Sequence, residues 1–552
     1  MRQLTDTDQV IIVGAGPVGL CTGLLLALRG VPFVIFENDG GLSTEPKAGT
    51  MLPSSLEIFS QLGIIDGFLA AGLRCGTVDF LDRRSKRIIT RMQVHELATE
   101  TRNPILLNVA QNETERILYS ALCAGGFEDR IRFNHTVTEV RQDDAGVRVT
   151  VEDGSGKARH YTGSYALGCD GARSVVRQAM GVEFTGRTHP ELFALFNVAF
   201  DTPAADAVRA PATAVFDPDE WMILVRLKEF WRVVWPQPAG REEPNEDDLR
   251  ERLRFAFGTD HPFEIVGRAT YRVHHRYAEH FCNGRFFVLG DAAHLMTPIG
   301  GLGMNTGLQD AGNLSWKLAM VLKGQADPSL LDTYERERLP IARFVAGNLA
   351  DGNRAALMMR NPIKRTIRNT VMWLQGHSEP HRWQAAYLRS MLGMGYAPPA
   401  APGSPLQRIV KVLRPEARPA VRPGDYSPDG PVRFTDGRTM HLHDLLSSKF
   451  LAVTFADARD LESLPVVVDP RIDHYIVSAV DVAPEMKNRA RTLVDLGSRL
   501  TKRYHAEEGS TYLIRPDGYV LDVFSSAHGP QRYSARIADY QSAGKPRVAA
   551  GA

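Results

Sequence analysis

The stretch "VIIVGAGPVGLCTGLLLALRGVPFVIFE", residues 10–37, leaves the chain few folds to choose from. Its first four residues have the length and branching of a buried strand, and an apolar helical run follows the glycines. A second strand, 33–36, ends on Glu37. Gly14 is placed for a tight turn, Gly16 for the close approach of a pyrophosphate, and Gly19 for packing of the helix on the sheet. The helix N-terminus offers N–H groups and the positive end of a dipole to phosphates. Glu37 stands where an acid accepts from ribose hydroxyls, and its charge argues against a 2′-phosphate, hence against NADPH at this turn. Gly14, Gly16, Pro17 and Gly19 interrupt the run too often for a membrane span or a signal peptide.

A second constraint is "GRFFVLGDAAHLMTPIGGLGMNTGLQDAGNLSWKLA", residues 284–319. It reads as a buried strand ending at Gly290-Asp291, a loop, and a helix with Leu308, Ala311, Ser315, Leu318 and Leu322 along one face. An acid at a strand end accepts from a polyol hydroxyl. Gly300, Gly301 and Gly303 let backbone N–H groups point at an electron-rich ring. A helix N-terminus beside that ring stabilises negative charge, which suits the anionic reduced isoalloxazine of a flavin.

With these residues the chain resembles the FAD-dependent aromatic hydroxylases, single-component flavoprotein monooxygenases of the phenol and para-hydroxybenzoate hydroxylase type. The turn from Gly14 through Pro17 to Gly19 resembles the family's ADP-binding motif. "GCDGARSVVR", with Asp170-Gly171, resembles its middle motif, associated with FAD and NAD(P)H. "GDAAHLMTPIGGLGMNTGLQDAGNLSWKLA", continued by "LLDTYERERLP", resembles the ribityl and flavin-ring motif. The likeness covers about residues 8–345. It implies non-covalent FAD, NADH or NADPH as transient reductant, dioxygen, and a small aromatic substrate. A phenolic or hydroxypyridine-type ring would be hydroxylated through a flavin hydroperoxide. It further implies that Glu37 binds the AMP ribose, Asp291 the ribityl chain, and Gln111 the phosphate or ribityl region. Gly303, Met304 and Asn305 would contact the pyrimidine end of the flavin, and Pro298 would lie where dioxygen reacts. Lys47 falls where the family usually has an arginine against the pyrophosphate, keeping the charge and losing the fork.

The expected fold class is α/β. Residues 8–185 and 280–395 make a Rossmann-like FAD-binding domain, the second part ending in a helical segment. A β-sheet substrate domain, 186–279, is inserted between them. A linker at 396–422 leads to a thioredoxin-like α/β domain at 423–540, which holds no cysteine and is expected to serve packing and subunit contact in a homodimer. In the insert, "WMILVRLKEFWRVVWPQP" reads as a hairpin about Lys228 and Glu229. Alternation puts Trp231, Val233 and Trp235 on one face and Arg232 and Val234 on the other. Trp231 and Trp235 either roof the active site or pack on a helix. Arg226 is a candidate to hold an acidic substrate. "YRVHHRYAEHFCNGR" offers His274 and His275 as bases for the substrate proton, though alternation sends them to opposite faces and a structural role suits both. His294, inside the flavin motif, reads as structural.

Sixty-five Lys and Arg against 64 Asp and Glu give a formal net charge of +1, with no footprint for nucleic acid or an anionic membrane. The five cysteines are scattered without metal-like or dithiol spacing, which points to no metal and to a reducing, cytoplasmic setting. A flavin-dependent halogenase would carry a tryptophan-x-tryptophan-x-isoleucine-proline segment, absent here. Baeyer–Villiger or other oxygenation, or a flavin-dependent reductase, is the alternative on the same scaffold. A non-enzymatic nucleotide binder would need only the first glycine turn.

Overall fold

The computed structural model describes residues 4–5, 8–45, 49–201, 209–237, 243, 245–258, 261–396, 418–456, 469–479, 491–525 and 531–542. Three sheets organise them. The first is six-stranded, in the order 282–283, 286–288, 165–168, 10–13, 33–36, 131–132. Its inner neighbours are parallel. Strands Val10–Val13, Phe33–Phe36 and Tyr165–Gly168 are buried at every residue, so they read as continuous apolar runs without alternation. Gly14 has φ +102°, and a Cβ there would lie 2.4 Å from the Cys169 carbonyl oxygen. A Cβ on Gly19 would lie 2.0 Å from the Gly14 carbonyl oxygen. The helix Pro17–Leu28 can meet the sheet this closely only with glycine at both places.

The second sheet has eight strands, in the order 294–295, 263–278, 184–200, 231–236, 222–226, 212–216, 77–82, 87–93. It therefore takes two strands from well before residue 186. Thr77–Asp82 pairs in parallel with Ala212–Phe216, a partner that local periodicity does not reveal. One face of the sheet rests on the helix Glu246–Phe257, whose N-cap Asn245 accepts from the Asp247 N–H. Trp231, Val233 and Trp235 are in that layer with Leu249, Leu253 and Phe257. The other face carries Phe193, Val234 and Val273 against Trp221, Ile299 and Leu357.

The third sheet, seven-stranded, lies in the C-terminal part. Phe450–Phe455, Ile472–Ser478 and Thr492–Asp495 are its parallel centre. Thr511–Ile514 and Val520–Phe524 form an antiparallel pair at one edge. Most of the expected linker lies outside the described residues. This part shares a core with the helix Leu302–Leu322: Trp316 and Met320 pack with Phe450, Leu513, Phe524 and Ile537. Arg515 crosses the junction. Its Nη1 and Nη2 donate to Glu337 Oε1 at 2.8 Å and Oε2 at 3.0 Å. Lys317 Nζ and the Tyr540 hydroxyl also donate to Glu337, at 2.8 and 2.6 Å. The rings of Trp316, Tyr396, Tyr519 and Tyr540 surround the Arg515 guanidinium. Burial pushes the Glu337 carboxyl up, but Arg515 and Lys317 outweigh it and hold it far below its ordinary value. Among the described residues, no helix is long and apolar enough to cross a membrane.

Candidate active site

The three motif segments converge at one edge of the first sheet. A Cβ on Gly14 would press on Cys169 and approach the Asp170 N–H, and Gly290 packs against Val18 and Gly307. Gly16 has nothing within 4 Å of where its Cβ would be, so its backbone is open on that side. Glu37 reaches back into the turn: its Oε2 accepts from the Ala15 N–H at 2.6 Å and its Oε1 from the Asp39 N–H at 3.0 Å. Each oxygen keeps a lone pair for a ribose hydroxyl. Asp170 Oδ2 accepts from the Val175 N–H at 2.7 Å, whereas its buried Oδ1 has no protein partner. Burial raises this carboxyl, against the pull of Ser174 and backbone N–H groups. Gly171 has φ +71°, a left-handed turn that glycine supplies at little cost. Arg177 links the middle motif to the flavin motif, donating to the Ala172 and Ala292 carbonyls at 2.7 and 2.9 Å.

Asp291 lies deep among protein atoms yet opens to the cleft. Burial raises its carboxyl, and His294 only partly opposes this. Gly300 and Gly301 have φ +98° and +67°, and the Gly301 N–H donates to the Pro298 carbonyl at 3.0 Å, so the loop turns sharply with Pro298 exposed. The helix Leu302–Leu322 starts there, and the N–H groups of Leu302, Gly303 and Met304 are among its unpaired first donors. The Asn305 side chain has four protein partners. Its Oδ1 accepts from the Leu52 N–H and the Ser55 hydroxyl, and its Nδ2 donates to the Thr50 and Gly301 carbonyls. The side chain is thus committed to holding residues 50–55 to the helix. Gln111 Nε2 is likewise turned to Glu115 Oε1, at 2.9 Å. Lys47 lies outside the described residues.

Beneath the loop is a fully buried trio. Asp310 Oδ2 meets His294 Nε2 at 2.8 Å and accepts from the Gly290 N–H at 3.1 Å, and its Oδ1 accepts from Arg338 Nε at 2.7 Å. Burial pushes the Asp310 carboxyl up, but Arg338 and His294 outweigh it and hold it below its ordinary value. Asp310 and Arg338 went unassigned in the sequence because their meeting joins two separate helices.

The substrate side needs several corrections. Trp231 and Trp235 face the helix Glu246–Phe257, Trp231 edge-on to Phe257 and Trp235 beneath Arg252, so they do not line the cleft. Arg226 Nη1 donates to the neighbouring Leu227 carbonyl. On the opposite face of the strand from the tryptophans is Arg232, nearly buried, with Nε donating to Asn197 Oδ1 at 3.0 Å. Its Nη1 lies 3.4 Å from where a Gly49 Cβ would be, opposite residues 49–52. Burial lowers the guanidinium to about 10, and it remains charged at neutral pH. Tyr271 neighbours it, and burial raises that phenol. Alternation gives Tyr271, Val273 and His275 one face and His274 the other. His274 Nδ1 pairs with Thr188 Oγ1 at 3.0 Å, away from the cleft. His275 Nδ1 is 2.6 Å from Asp351 Oδ2, which also accepts from Arg187. It ties the strand to the start of the helix Asp351–Leu357.

Glu57, Asp429 and His443 offer metal-ligand atoms within 4.8 Å of one another where the C-terminal part docks. Their donors and acceptors are already matched. His443 Nδ1 meets Glu57 Oε2 at 3.1 Å, and its Nε2 meets Ser427 Oγ, whose own hydrogen goes to the Gly518 carbonyl. This is an imidazolium clamp between two parts of the chain. Burial lowers His443, but Asp429 and Glu57 outweigh it and raise it overall.

The open Gly16 backbone, the two helix N-termini, and the carboxylates of Glu37 and Asp291 fit the phosphates, ribose and ribityl chain of FAD. Asp291→Ala should therefore weaken FAD retention by roughly 10- to 100-fold, the worth of about 1.5–3 kcal/mol for a hydrogen bond to a charged group. It should leave the apoprotein about as stable, because Asp291 is exposed there and replacing an exposed side chain costs little. FAD titration of the apoprotein and its thermal melt check both halves.

Comparison with known proteins agrees. A family model described as "FAD binding domain" matches residues 7–348. The chain is 31% identical over 382 residues to para-nitrophenol 4-monooxygenase of Pseudomonas sp. (strain WBC-3), covering 67% of this chain and 92% of that protein. It is 30% identical over 529 residues to 12-dehydrotetracycline 5-monooxygenase/anhydrotetracycline 6-monooxygenase of Streptomyces rimosus subsp. rimosus, covering 93% of this chain and 94% of that one. Among solved structures, OxyS anhydrotetracycline hydroxylase from Streptomyces rimosus superposes with a TM-score of 0.73 at 25% identity, over 98% of this chain and 99% of that one. The converging motifs and these likenesses together place the chain in the family of FAD-dependent aromatic hydroxylases, as a flavoprotein monooxygenase.

Proposed function

We propose that this enzyme uses NAD(P)H and dioxygen to hydroxylate a phenolic or hydroxypyridine-type ring, and that it works as a cytoplasmic homodimer. The observation that carries the reading of the reaction is Arg232, a nearly buried cation on the face of the sheet away from the tryptophans, beside Tyr271. FAD, once reduced, supplies the electrophilic oxygen from dioxygen. The chain's own residues prepare the ring. Arg232 stabilises the phenolate, which lowers the phenol's pKa and raises electron density at its ortho and para carbons. Asn197 fixes the guanidinium, and in this reading the O–H of the neighbouring Tyr271 donates to the substrate oxygen. Phe193, Val234, Val273 and Ile299 keep that wall apolar, which limits water. A relative named for para-nitrophenol and one named for anhydrotetracycline support an aromatic hydroxyl as the common substrate feature.

Arg232→Met should lower kcat/KM for phenols by roughly 100-fold, since losing one partner of a buried charge interaction costs about 2–5 kcal/mol. Activity should recover in part at higher pH, where the phenol ionises unaided. The measurement is product formed per NAD(P)H consumed, across pH, with one-ring and fused-ring phenols. A wild-type profile in the variant removes Arg232 from this role. Absence of hydroxylated product from every phenol tried would sink the reaction itself.

A further inference from the structure

Arg389 is the last residue of the helix Glu379–Arg389. Among the described residues its guanidinium has two protein neighbours. Nη1 stands 3.4 Å from Asn353 Oδ1, and the centre of the Phe80 ring lies 5.0 Å from the guanidinium carbon. No carboxylate pairs with it: burial lowers its pKa and no neighbouring charge opposes this. The other deep arginines are matched, Arg338 by Asp310 and Arg515 by Glu337 and Asp517. Arg389 is nonetheless only half-buried, and Nε and Nη2, which make no protein hydrogen bond, are not sealed off from solvent. A cation deep in the protein, without a counter-charge and with its fork open to space, points to an anion that arrives with a ligand.

Both neighbours belong to the walls of the proposed substrate site. Asn353 Nδ2 lies 3.2 Å from where a Cβ on Gly300 would be, on the loop of the flavin motif. Phe80 is in the apolar wall with Val234, Val273 and Ile299. Register relates Arg389 to Arg232. Phe80 pairs with Ala214, Ala214 with Ile223 and Ile223 with Val234, so the four stand in one row on one face of the sheet. Arg232, two residues from Val234, shares that face. Three strand spacings, about 14 Å, separate the backbones of Phe80 and Val234. Ala214 and Ile223 floor the interval without charge. Two cations thus stand at opposite ends of one apolar floor.

We propose that Arg389 sets substrate specificity by binding a carboxylate at the end of the aromatic molecule away from the hydroxyl that Arg232 holds. The inference rests on the reading of this site given above and narrows its substrate class to hydroxylated aromatic acids. Nε–H and Nη2–H lie along one edge of the guanidinium, the edge that takes a carboxylate through two parallel hydrogen bonds. Nη1 stays with Asn353, and the Phe80 ring supports the fork. Arg226, the sequence candidate for this task, is turned to the Leu227 carbonyl.

The test is equilibrium binding to the oxidised, FAD-loaded enzyme, read from the flavin absorbance. The probes are 4-hydroxybenzoate, 6-hydroxy-2-naphthoate and the carboxamide of each, which keeps the shape and lacks the charge. Wild type should bind an acid about 100-fold more tightly than its carboxamide, as expected for a deep charge pair. Arg389→Met should abolish that preference by weakening the acid alone, and Arg389→Lys should keep part of it. The melting temperature of the substrate-free enzyme should rise in Arg389→Met, since an uncompensated cation is gone. Arg389→Gln repeats the comparison should the methionine variant lose FAD. A wild type that prefers neither acid, or a preference that survives in both neutral variants, overturns the assignment. So does a lower melting temperature with acid and carboxamide weakened alike, which would make Arg389 a packing residue. Acid-selective binding without hydroxylated product sinks the proposed reaction and leaves Arg389 its role. Hydroxylation of neutral phenols with no preference for acids does the reverse.

Discussion

Arg515→Met is expected to lower the unfolding free energy by about 3–5 kcal/mol, the cost of leaving a buried partner charge uncompensated. Asp517, a buried carboxylate that accepts from Arg515 Nε and Nη2, would lose its cation, Glu337 would keep Lys317 and Tyr540 as donors but lose the bidentate fork, and four aromatic rings would lose the cation they surround. Adding Asp517→Asn should recover part of the loss, a coupling that a double-mutant cycle in urea would register. Two additive variants would show that the pair is not coupled. Removing the whole C-terminal part should be more severe. Trp316 and Met320 would face water on the helix whose first N–H groups belong to the flavin site. The sequence suggests a domain of its own behind a linker; the shared core predicts FAD-poor, aggregating protein from the truncated chain.

Asp310→Ala should be comparably damaging, and in a way that separates it from Asp291→Ala. It strands Arg338 as a buried cation, strips His294 of its partner and leaves the Gly290 N–H unsatisfied. A loss of about 3–5 kcal/mol is expected, together with loss of FAD, because the loop that begins at Gly290 loses its anchor. Apoprotein stability is the discriminating readout: Asp310→Ala lowers it, Asp291→Ala does not. Equal melting temperatures for the two apoproteins would contradict this division of labour.

What the sequence disclosed was local. Gly14, Gly19, Gly300 and Gly301 announce sharp turns and close approach because only glycine meets those conditions cheaply. Fully buried parallel strands announce themselves as unbroken apolar runs. Alternation correctly divided Trp231 and Trp235 from Arg232, but it does not say which face meets the cleft. That depends on the helix Glu246–Phe257, which covers the tryptophan side. Arg226 and Arg232 are equally plausible cations in a string of letters; the return of the hairpin puts only Arg232 opposite Gly49. Asn305 lies in the motif but is occupied by residues 50–55. Asp310 with Arg338, and Glu337 with Arg515, join segments whose spacing in the chain carries no periodic signal.

The eight-stranded sheet has a consequence for how the chain is made. On the ribosome, Thr77–Asp82 emerges long before Ala212–Phe216, the strand it pairs with in parallel. Val10–Val13 likewise waits for Tyr165–Gly168. Non-local pairings of this kind are slow to close, because the intervening loop's entropy is lost before the contact repays it. Until then Phe80 and Leu81, both buried in the finished sheet, stand on an unpaired edge. Fast translation at high temperature should therefore favour aggregation of the nascent chain over its assembly.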